Sequence, residues 1–181
     1  MRRIVLVRHG PVACDRPFLP DSAGFTAFCA AYEQSGLAPG DPPARVAALC
    51  KGVRLFASTM PRAKESALRL APEGDWLFDP VFGEESMVAP DLPGRWPLAV
   101  WCAASRGREN WSAGASAQRE ALRLRARRAA QLLIADAPSL LVGHGWFNRT
   151  LAATLLAQGF RCERTSVFSV HWGAQVLVNA F

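Results

Sequence analysis

Apolar residues along this chain fall into two kinds of segment. Short aliphatic runs bounded by turn residues predict buried strands, and stretches with apolar positions every three or four residues predict helices. Ile4-Val5-Leu6-Val7, within 2–8, is the first short run, closed by His9-Gly10-Pro11. Segments 53–57, 76–78 and 140–142 are of the same kind. Two more strands are predicted near the C-terminus, over about 165–171 and 175–178, with a turn at Gly173. Helical spacing covers 24–35, about 42–50, 61–71, 98–105, 116–135 and 147–157. Gly or Pro stops most of these, and Ser58 or Thr59 caps the helix that has Pro61 in its first turn. Segments 11–22 and 79–97 carry several prolines each and read as loops, and 106–115 has no clear pattern.

Strands alternating with helices predict an α/β fold, a three-layer α/β/α sandwich with a mostly parallel central sheet. The stretch from Thr165 would add an antiparallel edge. No linker divides the chain, so one domain spanning 1–181 is expected.

Composition narrows the classes. Half of the 181 residues are hydrophobic and 20% are charged, which is globular and not disordered. No apolar stretch approaches the roughly 18–20 residues a membrane helix needs, and no membrane partner is expected. The four-residue run after Arg2 and Arg3 is too short for a signal peptide, so a cytoplasmic protein is expected. The five cysteines (Cys14, Cys29, Cys50, Cys102, Cys162) are odd in number, lack a C-x-x-C spacing and read as free thiols.

The net charge is +6, and all but Lys51 and Lys64 of the 21 basic residues are arginine. Guanidinium groups suit planar oxyanions such as phosphate. The densest cluster is Arg119, Arg123, Arg125, Arg127 and Arg128, on one predicted helix with no aromatic residues interleaved. It reads as a solvated helix face, and no nucleic-acid partner is expected.

Two predicted strands end in histidine followed by glycine: Leu6-Val7-Arg8-His9-Gly10 and Leu141-Val142-Gly143-His144-Gly145. In an open parallel sheet, ligands bind outside the carboxyl ends of the strands. Neighbouring strands would bring His9 and His144 to one crevice, with Gly10 admitting a ligand close to the backbone. Arg8 adjoins His9, and Arg62 falls in the first turn of a helix just after a strand. Helix N-termini attract anions. Two arginines and two histidines around one crevice make a site for a tetrahedral dianion.

These residues carry a resemblance. Arg8-His9-Gly10 after a strand resembles the RHG signature of the histidine phosphatase superfamily, the phosphoglycerate mutase-like clan. The segment from Ser58 to Ala67 is similar to its second-arginine segment, and Leu141 to Leu156 to its second-histidine segment. The likeness runs in order along nearly the whole chain. It implies a phosphoglycerate mutase-like fold and a phosphomonoester hydrolase with His9 as nucleophile, forming a phosphohistidine that water hydrolyses. Arg8 and Arg62 would hold the phosphoryl oxygens, and His144 would be a further donor. No metal and no cofactor are implied.

The family's proton donor lies after the third strand, where Phe82-Gly83-Glu84-Glu85 stands. The resemblance favours Glu84 as general acid, with Glu85 as the alternative. The chain departs from the pattern after RHG: Pro11-Val12-Ala13-Cys14 replaces the usual hydroxyl and Asn. Asn148, four residues after His144, is a candidate substitute or merely a helix-start residue. The short chain lacks room for the insertions that cover a mutase substrate. Segment 79–97, with Trp96, Trp101 and Trp111 nearby, is expected to form the rim of the site.

Cys102 to Arg108 fits the C-x5-R pattern of cysteine phosphatases, but it reads as helix where a loop is required. His171 reads as a structural residue in a strand. The expected partner is a phosphorylated small molecule or a phosphoprotein. A mutase-type phosphotransferase and a catalytically weak phospholigand-binding module are the rival functions. The natural substrate and the oligomeric state are left open.

Overall fold

Strands form here where consecutive aliphatic residues need cover on both faces. β1 (Arg2–Arg8) is exposed at its first residue and wholly buried from Ile4 to Val7. β2 (Arg54–Ala57), β3 (Trp76–Phe78) and β4 (Ser139–Gly143) come next in the chain, then β5 (Arg161–Thr165) and β6 (Ala174–Asn179). The computed structural model describes residues 1–111, 115–165 and 170–180. The six-stranded sheet has the order β3-β2-β4-β1-β6-β5. β3, β2, β4 and β1 are mutually parallel, and β6 and β5 are added antiparallel.

Side chains along each strand alternate between two helical layers. Ile4, Leu6, Phe56 and Leu141 face α5 (Ala115–Ala135) and α6 (Gly145–Ala157), meeting Ala126, Ala130, Leu133, Phe147 and Leu151. Val5, Val7, Leu55, Ala57, Leu140 and Val142 face the other layer. That layer is α3 (Pro61–Leu70) and the short α2 (Ala44–Ala47), which runs into a 3-10 turn at Ala48–Cys50. The sandwich is therefore the expected three-layer one.

A third, smaller core joins α1 (Ser22–Gln34) to α4 (Leu98–Trp111) through Phe25, Phe28, Cys29, Leu98 and Trp101. Phe25 stacks on Trp101 with ring centroids 5.4 Å apart, and the indole donates to the Pro20 carbonyl at 2.8 Å. This buries Trp101 completely, so it braces the cap of the molecule and does not form a rim.

Four expectations change. The predicted strand over 165–171 lies instead at Arg161–Thr165. Residues 166–169 are outside the described residues, and His171 belongs to a turn before β6. The edge position of β5 explains the difference: Arg161, Cys162 and Glu163 are exposed and carry no apolar signal. α4 continues past Ser105 to Trp111, so Cys102 to Arg108 is helical and forms no phosphate-binding loop. The loop 79–97 holds a 3-10 turn, Pro80–Phe82, capped by the Asp79 carboxylate on the Val81 N–H. The arginine cluster on α5 is the expected solvated face at Arg123, Arg127 and Arg128, while Arg125 turns inward. Among the described residues no helix is long and apolar enough to cross a membrane. The five cysteines form no disulfide with one another.

Candidate active site

The parallel register sets Arg8 opposite Gly143, so His9 and His144 stand just past the ends of adjacent strands. Their ring centroids lie 5.2 Å apart. A cavity of about 480 Å³ opens beside them, lined by Arg8, His9, Arg62, Glu84, Trp146 and His171 among others. It stands at the carboxyl ends of the parallel strands, as open α/β sheets require.

His9 is almost wholly buried. Its Nδ1 lies 2.8 Å from the Gly10 carbonyl, which only accepts, so Nδ1 carries the proton and Nε2 keeps its lone pair. Burial holds its pKa well below the ordinary 6.5, the bond to Gly10 opposes this, and the charges of Arg62 and Arg8 reinforce the depression. Gly10 does not line the cavity. Its N–H donates to Ser66 Oγ at 2.9 Å, and a Cβ there would collide with the Trp172 ring. The missing side chain thus makes room for an indole rather than for a ligand.

His144 is fully buried behind His9 and is not on the cavity wall. Its Nε2 is 2.9 Å from Ser58 Oγ, which also accepts the Met60 N–H. Assigning the Ser58 proton to Nε2 leaves the ring proton on Nδ1, a buried nitrogen with no partner among the described residues. Burial and the nearby His9, Arg62 and Arg8 push its pKa well below 6.5.

Arg62 occupies the first turn of α3 behind Pro61 and is 2% exposed. Its guanidinium donates to the Tyr32 carbonyl at 3.1 Å and lies 4.8 Å from the Tyr32 ring centroid. No carboxylate forms an ion pair with it among the described residues, and its Nε is unsatisfied. Burial lowers its pKa, against the pull of Tyr32 and Glu84. A buried cation without a counterion is destabilised until an anion arrives. Arg8 stands half-buried on the same wall.

Glu84 is placed by the buried Phe82 before it and by the N-terminus of α6. Its two carboxylate oxygens accept the N–H groups of Trp146 and Phe147, each at 3.0 Å, and one also accepts its neighbour's N–H at 3.2 Å. Burial raises its pKa above the ordinary 4.5, while Arg106 and these backbone donors pull it down. Glu85 also lines the cavity but is ion-paired with Arg125, which donates to the Gly83 carbonyl at 2.6 Å as well.

Asn148 is not brought to the cavity. It is fully buried, with its amide on the Val7 carbonyl at 3.1 Å, and ties α6 to β1. Segment 79–97 supplies Glu84, Glu85 and Met87 to the wall, but Trp96 is exposed outside it and Trp111 has no described side chain. Trp146 joins Phe28 and Tyr32 as an aromatic wall residue, with the Arg106 guanidinium 5.3 Å over its ring. The sequence pattern does not single out Trp146, Arg106 or His171 as wall residues. Trp146 is two residues past His144 at a helix start, which is a usable signal; Arg106 and His171 depend on distant segments folding back.

No family model matches the chain, and no curated protein matches it. Solved structures do. A mycobacterial glucosyl-3-phosphoglycerate phosphatase complexed with VO3 is 18% identical over all of this chain and 93% of its own, with a TM-score of 0.53. A mutant phosphoserine phosphatase of Entamoeba histolytica, in complex with phosphoserine, is 17% identical over 98% of this chain and 91% of its own, at 0.55. The Mycobacterium tuberculosis protein Rv3214 is 14% identical over 97% and 90%, at 0.51. These are members of the histidine phosphatase superfamily, and this chain has their phosphoglycerate mutase-like α/β fold.

Proposed function

We propose, from this shared fold and the cavity at its strand ends, that the chain is a metal-independent phosphomonoester hydrolase acting through a phosphohistidine on His9. The observation that carries the reading is the His9 tautomer. Nδ1–H is spent on the Gly10 carbonyl, so Nε2 is an unprotonated nucleophile on the wall of a cavity rich in arginine.

The steps balance on residues of this chain. His9 Nε2 bonds to phosphorus as the ester P–O bond breaks, and the leaving alkoxide takes the proton of the Glu84 carboxyl. Arg8 and Arg62 hold the phosphoryl oxygens and stabilise the charge they gather, and the buried His144 ring packs beside His9, 5.2 Å between centroids. Water then attacks the phosphohistidine. Glu84 takes a proton from that water, the P–N bond breaks, and neutral His9 and phosphate remain. Glu85, held by Arg125, is less suited to this than Glu84.

Arg16, Arg106 and Arg149 line the same cavity, and its volume suits a phosphorylated small molecule. The cytoplasmic placement, with five cysteines that form no disulfide with one another, belongs to this reading. The test is phosphate release from p-nitrophenyl phosphate in EDTA, with His9→Ala alongside. Turnover that disappears in the variant supports the phosphohistidine route. Equal turnover in both removes it, and phosphate binding without turnover turns the reading to a phospholigand-binding module.

A further inference from the structure

The chain has three histidines, and all three converge on one place. The His171 ring lies 5.7 Å from that of His9, brought there by the turn that precedes β6. We propose that His171 is a substrate-contacting residue, its imidazole donating a hydrogen bond to an oxygen of the phosphoryl group held beside His9. This rests on the reading of the cavity as a phosphoryl site.

Its position is the first support. His171 lines the cavity with Arg8, His9 and Arg62, half-buried, and neither ring nitrogen has a partner among the described residues. The turn that carries it is built rather than loose. The Gly173 N–H closes on the Val170 carbonyl at 3.0 Å, and the Gly173 carbonyl takes the Arg8 N–H at 2.8 Å. The Trp172 N–H reaches the His9 carbonyl at 3.4 Å. Residues 170–173 are thus bonded to the very backbone that presents Arg8 and His9.

The backbone next to His171 is also strained. Trp172 has φ of 60°, a left-handed conformation that a bulky side chain seldom adopts. It is kept there because its ring fills the space over Gly10 that a side chain would otherwise occupy. Such strain persists only where the surroundings enforce it, and it gathers at functional sites. Here its consequence is to hold the preceding side chain on the cavity wall.

Chemistry agrees with geometry. Burial, then the charges of Arg8 and Arg16, bring the His171 pKa down to about 4. The ring is neutral at pH 7 and offers one N–H donor without adding charge to a wall already lined by arginines. A donor beside His9 gains most when a phosphoryl oxygen is present to accept.

The test compares the parent with His171→Ala and His171→Asn, the latter keeping a side-chain N–H. Inorganic phosphate binding is measured by calorimetry, p-nitrophenyl phosphate turnover in EDTA gives kcat and KM, and each protein is melted. A hydrogen bond to a charged group predicts that His171→Ala weakens phosphate about 10- to 100-fold. His171→Asn should recover most of that, with both variants melting near the parent. Phosphate affinity in His171→Ala within about twofold of the parent overturns the contact. If the alanine variant does not fold, His171→Leu replaces it, and equal affinity in the Asn and Leu variants overturns the contact too. A parent that hydrolyses while His171→Ala binds phosphate normally leaves the phosphatase reading standing alone. A parent that binds phosphate through His171 but never turns over leaves the contact standing alone. A parent that does neither overturns both.

Discussion

The ends of β1 and β4 are adjacent, parallel, and read almost alike, each a buried aliphatic run ending in histidine and glycine. They do opposite things. After β1 the chain enters a loop clasped by the 170–173 turn, and His9 is set on the cavity wall with one nitrogen anchored and one free. After β4 the chain starts α6 at once, and His144 is packed out of sight against Ser58. The feature β4 presents to the cavity is the new helix N-terminus, whose N–H groups hold Glu84. The same local pattern therefore leaves one histidine on the cavity wall and packs the other away, with a helix N-terminus holding Glu84 in its place. The difference comes from the segment after each histidine, a clasped loop or a helix, rather than from the histidine itself.

The largest expected effect separates the two rings. His9→Ala should bring p-nitrophenyl phosphate hydrolysis to the assay background, since the proposed attacking nitrogen is lost. His144→Ala removes the buried ring packed beside His9 and, by letting that ring shift, should cost up to about 10² in kcat. Calorimetry with orthovanadate on both variants would show whether the site survives. The comparison breaks if His144→Ala is the dead variant and His9→Ala retains turnover.

Next in size is the carboxyl held by α6. Glu84→Gln should slow alkyl phosphates by about 10²-fold or more, because general acid help is typically worth that much to a poor leaving group. Aryl phosphates, whose leaving groups need no proton, should change little. Steady-state rates on a matched alkyl and aryl pair decide it. Equal losses on both, or the selective loss appearing in Glu85→Gln, would move the acid from Glu84.

Much of this arrangement is legible in the chain because it depends on short-range pattern. Ile4 to Val7 and Leu140 to Val142 announce buried strands, and chemistry at their carboxyl ends comes from the geometry of parallel sheets. Arg62 is readable for the same reason, one turn into a helix that a strand feeds. The rest depends on tertiary contact. Asn148 sits at a plausible spacing from His144, yet α6 turns it onto the Val7 carbonyl. Trp101 lies near the expected rim in sequence, but stacking on Phe25 draws it into the cap core. His171 reads as structural because its neighbours suggest a strand. The pairing of β6 with β1 returns residue 171 to the first strand's end and puts it on the cavity wall.

A smaller effect tests why Gly10 is glycine. Gly10→Ala drives a methyl into a rigid indole whose own backbone is already strained. Overpacking of this kind costs about 1–3 kcal/mol. The melting temperature should fall by roughly 2–4 °C for each kcal/mol at this chain length. An unchanged melting temperature would mean that the turn carrying Trp172 moves freely, and that His171 is not held.

The subtlest test concerns protonation, because the two strand ends ask for opposite states: His9 without a proton and Glu84 with one. Burial drives both in the required directions, lowering the His9 pKa well below 6.5 and raising the Glu84 pKa above 4.5. As pH falls from about 8 to about 5.5 the protonated share of Glu84 grows while His9 stays neutral. The ratio of alkyl to aryl phosphate kcat/KM should therefore rise toward acid, by up to about tenfold per pH unit above the Glu84 pKa. Normalising each rate to the dianion fraction of its own ester removes the ionisation of the phosphates themselves. In Glu84→Gln the ratio should be flat. A flat ratio in the parent, equal to that of Glu84→Gln, would show that the leaving group takes its proton from elsewhere and would remove Glu84 as the general acid.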